Sequence, residues 1–379
     1  MVFESRAESW LRLLLVPELK RVHWFRLHQQ LGSPEAILGA TASEICRIAE
    51  VGEETARLIL QGPDPDSLQR ERQLLEQTGA GLVTFDDECY PENLRRCSAP
   101  PMVLFVVGEI RPDDRYAVVV VGSRAMTQYG KLMCQRVVAE LVGAGVTVVS
   151  GLAHGIDWVA HETALRHGGR TLAVLAQGLA ARESSERLEM RRQIAEHGAV
   201  ISEFPLTASA ERYHFPIRNH TMAALGVATV VVEAGEKSGA LITADKALEE
   251  NRHVFAVPGD VMRQTSQGTN ALIRAGASLA RGGQDILEEL RPQLKALLRE
   301  REIAAPSGDI AVTDSNLDET AQAVLVRVRR EPVHLDLLHE EMAERGVGFG
   351  SLSSILLELE MKGLVRHLPG NLYSAGSTR

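Results

Sequence analysis

The sequence predicts an α/β protein: an extended Rossmann-like parallel sheet domain, flanked by a small N-terminal helical domain and a C-terminal winged-helix domain. From about residue 81, apolar runs rich in β-branched residues alternate with helical stretches, which is the pattern of parallel strands covered by helices on both faces. At 379 residues the chain also exceeds the length that one core usually organises. We therefore expect domains at 1–80, 81–291 and 319–379, with a linker over 292–318.

The first 80 residues predict a domain of short helices, similar to SAM or helix-hairpin-helix domains. Apolar residues at three- and four-residue spacing indicate helices over 8–15 and 21–31, and glycine and proline mark the turns after them. The segment 45–58 has part of a helix-hairpin-helix pattern, in which turn amides hold a DNA phosphate. Its glycines are incomplete and three glutamates within it would repel phosphate, so plain packing is the favoured interpretation.

The predicted sheet domain contains eight candidate strands, many of them followed by helical stretches. They lie at 82–85, 103–107, 117–121, 147–150, 171–176, 199–202, 228–232 and 254–257. Ligands of open parallel sheets bind at the carboxyl ends of the strands. The loops after these strands are therefore the expected site.

The end of the chain predicts a linker and then a winged-helix domain. Residues 304–309 are small and polar, which is typical of linkers. Three helical patterns and a hairpin follow, which is the order of elements in a winged helix. They lie at 320–329, 335–345 and 352–362, and around a Pro369-Gly370-Asn371 turn.

The composition indicates a cytoplasmic protein with reduced thiols. The four cysteines show no CxxC pair and no spacing typical of a zinc site or a disulfide framework. The apolar run from Leu13 to Val16 is too short for a membrane span and lacks the features of an export signal. A net charge of -9 argues against a surface coated in positive charge, so any nucleic-acid site has to be a local pocket.

Three glycine-containing turns each follow a predicted strand and precede a predicted helix. They are Gly122-Ser123-Arg124, Gly151 to Gly155, and Gly235 to Gly239. Free backbone amides and the helix dipole accept anions at such turns, so three of them at one sheet edge predict a site for several phosphates in a row. None has the GxGxxG fingerprint or the P-loop pattern, and we expect no NAD, ATP or other cofactor.

Basic residues accompany these turns. Arg124 stands just beyond the first turn, where a guanidinium can grip a phosphate with two hydrogen bonds or stack on an unpaired base. Over residues 212–220, basic and aromatic side chains are interleaved. This interleaving suits an unpaired base that lies next to a gripped phosphate.

Six segments of the chain closely resemble the DNA-processing protein A (DprA, or Smf) family. In order, they are VVVVGSRAMTQYG, VTVVSGLAHGIDWVAHETAL, GGRTLAVLAQGL, HFPIRN, VVVEAGEKSGALITADKALEENRHVFAVPGD and QGTNALIRAGA. The resemblance is strong over about 81–290, and both flanking domains are similar to the family by weaker motifs. It implies a homodimer that binds single-stranded DNA cooperatively, protects incoming DNA and helps to load the RecA recombinase in natural transformation, and it implies no catalysis.

The resemblance also implies which residues contact DNA. Carried over position by position, they are Gly122, Ser123, Arg124, Gly151, His154, Gly155, Arg212, Phe215, Arg218, Asn219, Lys237, Ser238 and Gly239. Three places depart from the family pattern. Residues 178–185 stand where the family has a GLD segment that leads to a tyrosine, a proline and a basic residue that contacts DNA, and Arg182 is a candidate to replace that basic residue. His154 and His220 stand where the family has more basic side chains. An unperturbed histidine is mostly uncharged above neutral pH.

Two other functions remain as alternatives. A LOG-like nucleoside-monophosphate phosphoribohydrolase shares the glycine-serine turn, but it needs a PGGxGT turn followed by glutamate, and residues 234–240 read AGEKSGA. In the second alternative, the winged helix is the chief DNA-binding part. Its third helix carries Glu358 and Glu360 against a single lysine, and acids in a DNA groove oppose phosphate, so a protein-contact or dimer-supporting role is favoured.

His154, Asp157 and His161 suggest a metal cluster or a general base, since Asp157 and His161 are four residues apart on a predicted helix and could share a face. No third ligand stands at a suitable spacing. We therefore favour a structural role for both, with Asp157 binding the turn amides at the start of the helix and His161 packing on it.

Overall fold

The computed structural model describes residues 2–17, 19–294, 319–330, 333–343, 347–361, 364–368 and 372–375. The chain divides into two units with the boundary between residues 302 and 303. Most of the predicted linker, 295–318, lies outside the described residues. In the described part of the chain, no helix combines the length and the apolar character that crossing a membrane requires.

Six short helices precede the sheet. They are α1 Val2–Leu14, α2 Arg21–Leu31, α3 Pro34–Leu38, α4 Ala42–Ala49, α5 Glu53–Gln61 and α6 Pro65–Thr78. Local chemistry sets their starts: the Ser33 hydroxyl accepts a hydrogen bond from the Ala36 amide, and Thr41 forms a capping box with Glu44. The two helices predicted within 1–31 are confirmed.

An aromatic cluster joins these helices to the sheet. Trp10 and Trp24 are fully buried, their rings meet edge to face at 5.4 Å, and Trp24 meets Phe85, just after the first strand, at the same distance. The helices and the sheet share one hydrophobic cluster, so the predicted boundary at residue 80 stays a prediction.

All eight predicted strands form, together with a ninth of two residues. They are β1 Gly81–Thr84, β2 Val103–Gly108, β3 Val118–Val121, β4 Val148–Ser150, β5 Thr171–Val174, β6 Ala199–Ser202, β7 Ala228–Val231, β8 His253–Ala256 and β9 Ser278–Leu279. The helices between and after them are α7 Glu92–Arg95, α8 Gln128–Gly143, α9 Ile156–Arg166, α10 Ser185–His197, α11 His214–Leu225, α12 Gly239–Glu249, α13 Gln267–Arg274 and α14 Gly283–Glu289.

Strand β3 is apolar without alternation because both of its faces are buried. Val119 and Val121 pack into one hydrophobic cluster, whereas Val118 and Val120 pack into another. Successive side chains of a strand point to opposite faces, so both faces of the sheet are covered here. A strand buried on both faces therefore reads as four valines in a row.

The sheet is mostly parallel, which confirms the predicted Rossmann-like architecture, and it departs from a fully parallel sheet at β2. Its order is β1-β2-β6-β5-β4-β3-β7-β8-β9; the pairs from β6 to β9 are parallel, but β2 runs antiparallel to β6 and to β1. Only residues 109–117 connect β2 to β3. A parallel arrangement of β2 and β3 needs a crossover of about a dozen residues or more. With this short connection, β3 starts at the same end of the sheet at which β2 finishes, so the two strands run in opposite directions.

The described part of the second unit has the predicted winged-helix order. It contains α15 Glu319–Arg330, β10 Val333–His334, α16 Leu335–Ala343, α17 Phe349–Met361, β11 Val365–Leu368 and β12 Leu372–Ala375. The three strands pair antiparallel in the order β10-β12-β11, and the unit has its own apolar core. The predicted turn at 369–371 lies outside the described residues.

Candidate nucleic-acid interface

The strand order places a ligand-binding crevice between β3 and β7. The chain adds β4, β5 and β6 on one side of β3, and then returns to place β7, β8 and β9 on the other side. At such a reversal, the loops after the two neighbouring strands lead away in opposite directions and leave a crevice at their carboxyl ends. The first and third glycine turns are those two loops.

A cleft of about 980 Å³ occupies this position. Ten of the thirteen predicted DNA-contact residues line it: Gly122, Ser123, Arg124, Arg212, Phe215, Arg218, Asn219, Lys237, Ser238 and Gly239. Residues from three separate parts of the sequence thus meet at one site.

The cleft is locally basic although the whole chain is acidic. Arg124, Arg212 and Lys237 are exposed, and none of them makes an ion pair within the described part of the chain. Among the described residues that line the cleft, the one carboxylate is that of Asp157, and it is buried. The exposed charge in the cleft is therefore positive and available to an anion.

The first glycine turn is fixed by the neighbouring strand. The Ser123 amide donates to the Glu233 carbonyl oxygen at 2.7 Å, and the buried Glu233 carboxylate accepts from the amide and the hydroxyl of Thr127, both at 2.8 Å. This differs from the expectation of free amides, because the Ser123 amide already has a partner. The exposed side chain of Arg124 is the group of this turn that remains available to an anion.

The second glycine turn also uses its own amides. The Asp157 carboxylate, near the start of α9, accepts hydrogen bonds from the backbone amides of Ala153 and Gly151. It fills the place that the sequence suggested for a phosphate, so the preferred role of Asp157 in binding turn amides agrees with the structure. Leu152, between these amides, has a φ of 51°, a conformation that non-glycine residues rarely adopt.

Two glycines of this turn leave no room for a side chain. A Cβ on Gly151 would overlap the Arg218 guanidinium and the Asp157 carboxylate. Gly155 has a φ of 83° and lies against the backbone of Ser123 and Arg124. Gly155 does not line the cleft; it packs the second turn against the first.

Arg218 is buried rather than presented to the cleft. Its side chain is 4% exposed, and one terminal nitrogen donates to the carbonyl oxygens of Gly151, at 2.6 Å, and Val174, at 2.9 Å. Burial lowers the pKa of this guanidinium to about 10, while Asp157 opposes the shift, so it stays charged at neutral pH. Burial likewise raises the pKa of Asp157, which Arg218 and the turn amides oppose.

Arg218 and Asn219 therefore brace the site from α11. Arg218 links the ends of β4 and β5, because one acceptor, Gly151, directly follows β4 and the other, Val174, is the last residue of β5. The Asn219 amide accepts from Arg218 at 3.1 Å and donates to the Gly239 carbonyl oxygen at 3.3 Å, which positions the start of α12.

Phe215 forms the aromatic wall of the cleft. The Arg124 guanidinium lies over its ring, 5.2 Å from the centroid, and that of Arg218 lies 5.9 Å away. Both distances fall within the range of cation–π contacts. Arg124 is thus held in place without being neutralised.

The third glycine turn opens the N-terminus of α12 to the cleft. Ser238 caps this helix by accepting from the Ala240 amide at 3.3 Å, and Gly239 is exposed with open space where a Cβ would stand. Lys237 is exposed beside them. A helix N-terminus next to an unpaired ammonium group is a favourable place for a phosphate.

A smaller cavity of about 210 Å³ adjoins the cleft beyond Phe215. Gly151 and the exposed His154 line it, so these two predicted residues lie next to the cleft rather than in it. Sequence reasoning missed Gln177 and Arg187 here, and Gln264 and Thr265 in the cleft. Local sequence carries no signal for them, because only the strand order brings their segments to the site.

Two histidines lie outside the cleft. His220 is buried between the Arg21 guanidinium, 2.9 Å from its Nδ1, and the Glu250 carboxylate, 2.7 Å from its Nε2, so it contributes nothing to the charge of the site. His161 lies in the core with its Nδ1 2.8 Å from the Thr171 hydroxyl. Burial lowers the pKa of His161 to about 3, which leaves it neutral and agrees with the packing role.

Comparisons with known proteins agree on the family. The sequence model of the family DNA recombination-mediator protein A matches residues 81–291, and that of the DprA winged helix domain matches 311–371. The chain is 33% identical to Protein Smf of Escherichia coli over 96% of this chain and 94% of that protein.

Two solved structures are similar. The DNA processing protein A of Streptococcus pneumoniae has a TM-score of 0.64 at 30% identity, over 74% of this chain and 97% of the other. That of Helicobacter pylori, whose structural study concerns its single-stranded DNA binding mode, has a TM-score of 0.51 at 26% identity, over 57% and 98%.

Proposed function

This chain belongs to the DNA recombination-mediator protein A family, and from that premise we propose that it binds single-stranded DNA in the cleft between β3 and β7. There it protects incoming DNA and helps to load the RecA recombinase during natural transformation. It acts in the cytoplasm as a homodimer. Binding, rather than catalysis, is its role.

One observation carries the proposal: at the switch point of the sheet, three exposed cations that make no ion pair among the described residues line the same cleft as an aromatic ring. Arg124, Arg212 and Lys237 supply phosphate contacts spread along the cleft, and the start of α12 adds a fourth. Phe215 offers a surface to an unstacked base. Cationic groups that follow a backbone, combined with an aromatic surface for bases, are the typical parts of a single-strand binding site.

The site favours single strands over duplex because its contacts lie inside a cleft. A duplex keeps its bases stacked and paired, so they cannot reach the Phe215 ring, and only surface phosphates would be available. The chain has a net charge of -9, which argues against the broad basic face that is typical of non-specific duplex binding.

The burial of Asp157, the carboxylate that lines the cleft, supports a binding role rather than a catalytic one. Asp157 is buried and holds the turn amides, so it is engaged in the fold rather than directed at a ligand. The turn after β7 has no glutamate in the PGGxGT context that a nucleoside-monophosphate phosphoribohydrolase needs.

Competition binding tests the proposal. Labelled oligo-dT is titrated with the full-length protein at a fixed salt concentration, and then displaced with unlabelled oligo-dT or with duplex of equal length. We expect the single strand to compete better by about tenfold or more, the scale of one stacked base. Equal competition by both forms would contradict the proposal.

A further inference from the structure

A largely buried arginine of α2 links this helix to α11, the helix that carries the aromatic wall of the cleft. The Arg21 guanidinium pairs with the Glu203 carboxylate, 2.8 Å from Nε to Oε2, and the two side chains are only 17% and 7% exposed. Arg21 also donates to the Thr221 hydroxyl of α11, which itself donates to Glu203 at 2.6 Å. Since water cannot replace these contacts easily, the pair holds α11 in a defined place.

The same guanidinium contacts the preceding residue of α11 and the loop before β2. One terminal nitrogen donates to the Ala99 carbonyl oxygen at 3.1 Å and lies 2.9 Å from His220 Nδ1. Burial and the charge of Arg21 lower the pKa of His220, and Glu250 opposes the shift. A neutral imidazole with its proton on Nε2 satisfies both neighbours, because Nδ1 accepts from Arg21 and Nε2 donates to Glu250 at 2.7 Å.

The groups around His220 could also suggest a metal site. Cys97, His220 and Glu250 bring a thiol, an imidazole and a carboxylate within 4.8 Å of one another. However, a histidine that binds a metal through Nε2 donates its Nδ1 proton to an acceptor, and here the Arg21 guanidinium occupies that place. Burial raises the pKa of the Cys97 thiol to about 11, whereas a metal binds the thiolate. The contacts of Arg21 therefore point to a role in joining elements.

Arg21 lines neither space of the site, the cleft or the small cavity beyond Phe215. Any effect on a ligand has to pass through α11. Residues 220–221, which Arg21 contacts, directly follow Arg218 and Asn219, whose hydrogen bonds hold the ends of β4 and β5 and the start of α12. Phe215 lies about one and a half turns earlier in the same helix. A helix that is fixed at residues 220–221 cannot rotate or slide, so the contacts of Arg21 also fix these side chains.

Resting on the proposed function, we infer that Arg21 is a positioning residue for single-stranded DNA binding: it holds α11, and with it the Phe215 ring, in the orientation that the strand requires. Helix α2 thus contributes to the site without touching the ligand. Arg21 and His220 are 199 residues apart in sequence, so no local pattern signals this link.

Two substitutions test the inference. Arg21→Met removes the whole link, and Thr221→Val removes one bond to α11 while the Arg21–Glu203 pair remains. Arg21→Met should lower the melting temperature, because Glu203 loses its partner, so binding is measured at a temperature at which circular dichroism shows folded protein. We expect Arg21→Met to weaken oligo-dT binding by about threefold or more, near the low end of the effects of remote residues that act through packed contacts. Thr221→Val should change affinity in the same direction.

Asp86→Asn is the matched control. Asp86 accepts hydrogen bonds from Trp10 and His28, so it joins α1 and α2 to the residues after β1 rather than to α11. This variant should lower the melting temperature but leave oligo-dT affinity unchanged.

A double-mutant cycle with Phe215→Ala separates positioning from stability. If Arg21 acts by placing the ring, Arg21→Met reduces affinity less in the Phe215→Ala background than in the wild type, since the ring is already absent. Fully additive losses would overturn the inference. If Arg21→Met does not fold, Thr221→Val takes its place in both measurements.

The inference and the proposed function can fail separately. If the wild type binds oligo-dT and folded Arg21→Met binds it equally well, the positioning role is wrong and the proposed function stands. If the wild type does not bind oligo-dT, the proposed function fails and the positioning role fails with it.

Discussion

At the scale of single residues, Arg124 and Arg218 show that two arginines of one site can have opposite roles. Arg124 is exposed, lies over the Phe215 ring and makes no ion pair among the described residues. Arg218 is buried and its hydrogen bonds are directed to carbonyl oxygens of the fold and to Asn219. Direct contact with a phosphate is therefore expected from Arg124, whereas Arg218 holds the loops that form the site.

Substituting Arg124 tests this assignment. We expect Arg124→Ala to weaken oligo-dT binding by about 1–3 kcal/mol, because a charge-assisted contact and a stacking surface are lost together. Fluorescence anisotropy at fixed salt measures the change. Arg166→Ala, on an exposed position of α9 that lines neither space, is the matched control and should bind normally. Wild-type affinity in Arg124→Ala would remove Arg124 from the site.

The sequence identified the charged residues of the site but not their exposure. The sequence alone does not distinguish the buried Arg218 from the exposed Arg124 and Arg212. The packing of α11 against β4 and β5 is what buries Arg218. Likewise, Gln177 follows a buried strand without any local pattern, and it lines a cavity that distant segments of the chain form.

At the scale of elements, the turn between β4 and α9 is held in shape by one buried carboxylate. Asp157 binds the amides of Ala153 and Gly151 and faces the charge of Arg218. Without it, two turn amides would lose their acceptor, and the buried Arg218 guanidinium would lose the negative charge that opposes the effect of its burial. The turn then contributes to the site through its shape and through its carbonyl oxygens, rather than as an anion-binding loop.

We expect Asp157→Ala to lower the free energy of unfolding by at least about 1–3 kcal/mol, the scale for leaving a buried hydrogen-bonding group without its partner. Denaturant unfolding followed by circular dichroism measures this loss. Glu162→Ala, at an exposed ion pair on the same helix, should change stability by less than about 1 kcal/mol. If both variants were equally stable, the bracing role of Asp157 would be wrong.

Elements were predictable where their physical signal is local. Strands buried on both faces favour continuous apolar runs rich in β-branched residues, as in the four valines of β3, and all eight predicted runs form strands. Strand β9 has two residues, too few for a pattern. The direction of β2 follows from the length of its connection to β3 rather than from its own residues.

At the scale of the whole molecule, the strand order creates the site. Three glycine turns are spread over more than a hundred residues of sequence, and the reversal at β3 and β7 brings the first and third to opposite sides of one cleft. Sequence reasoning placed the turns at one edge of the sheet but could not order the strands, because neighbouring parallel strands are chosen by packing over long distances. The second unit has its own core, and Glu360 on its third helix is exposed, which fits a role other than gripping phosphate.

The structure of the full-length protein with a short oligo-dT tests the central claim most directly. We expect phosphates beside Arg124, Arg212 and Lys237, with the DNA strand running across the carboxyl ends of β3 and β7. An oligonucleotide bound instead on the winged-helix unit, or elsewhere on the sheet domain with the cleft empty, would contradict it.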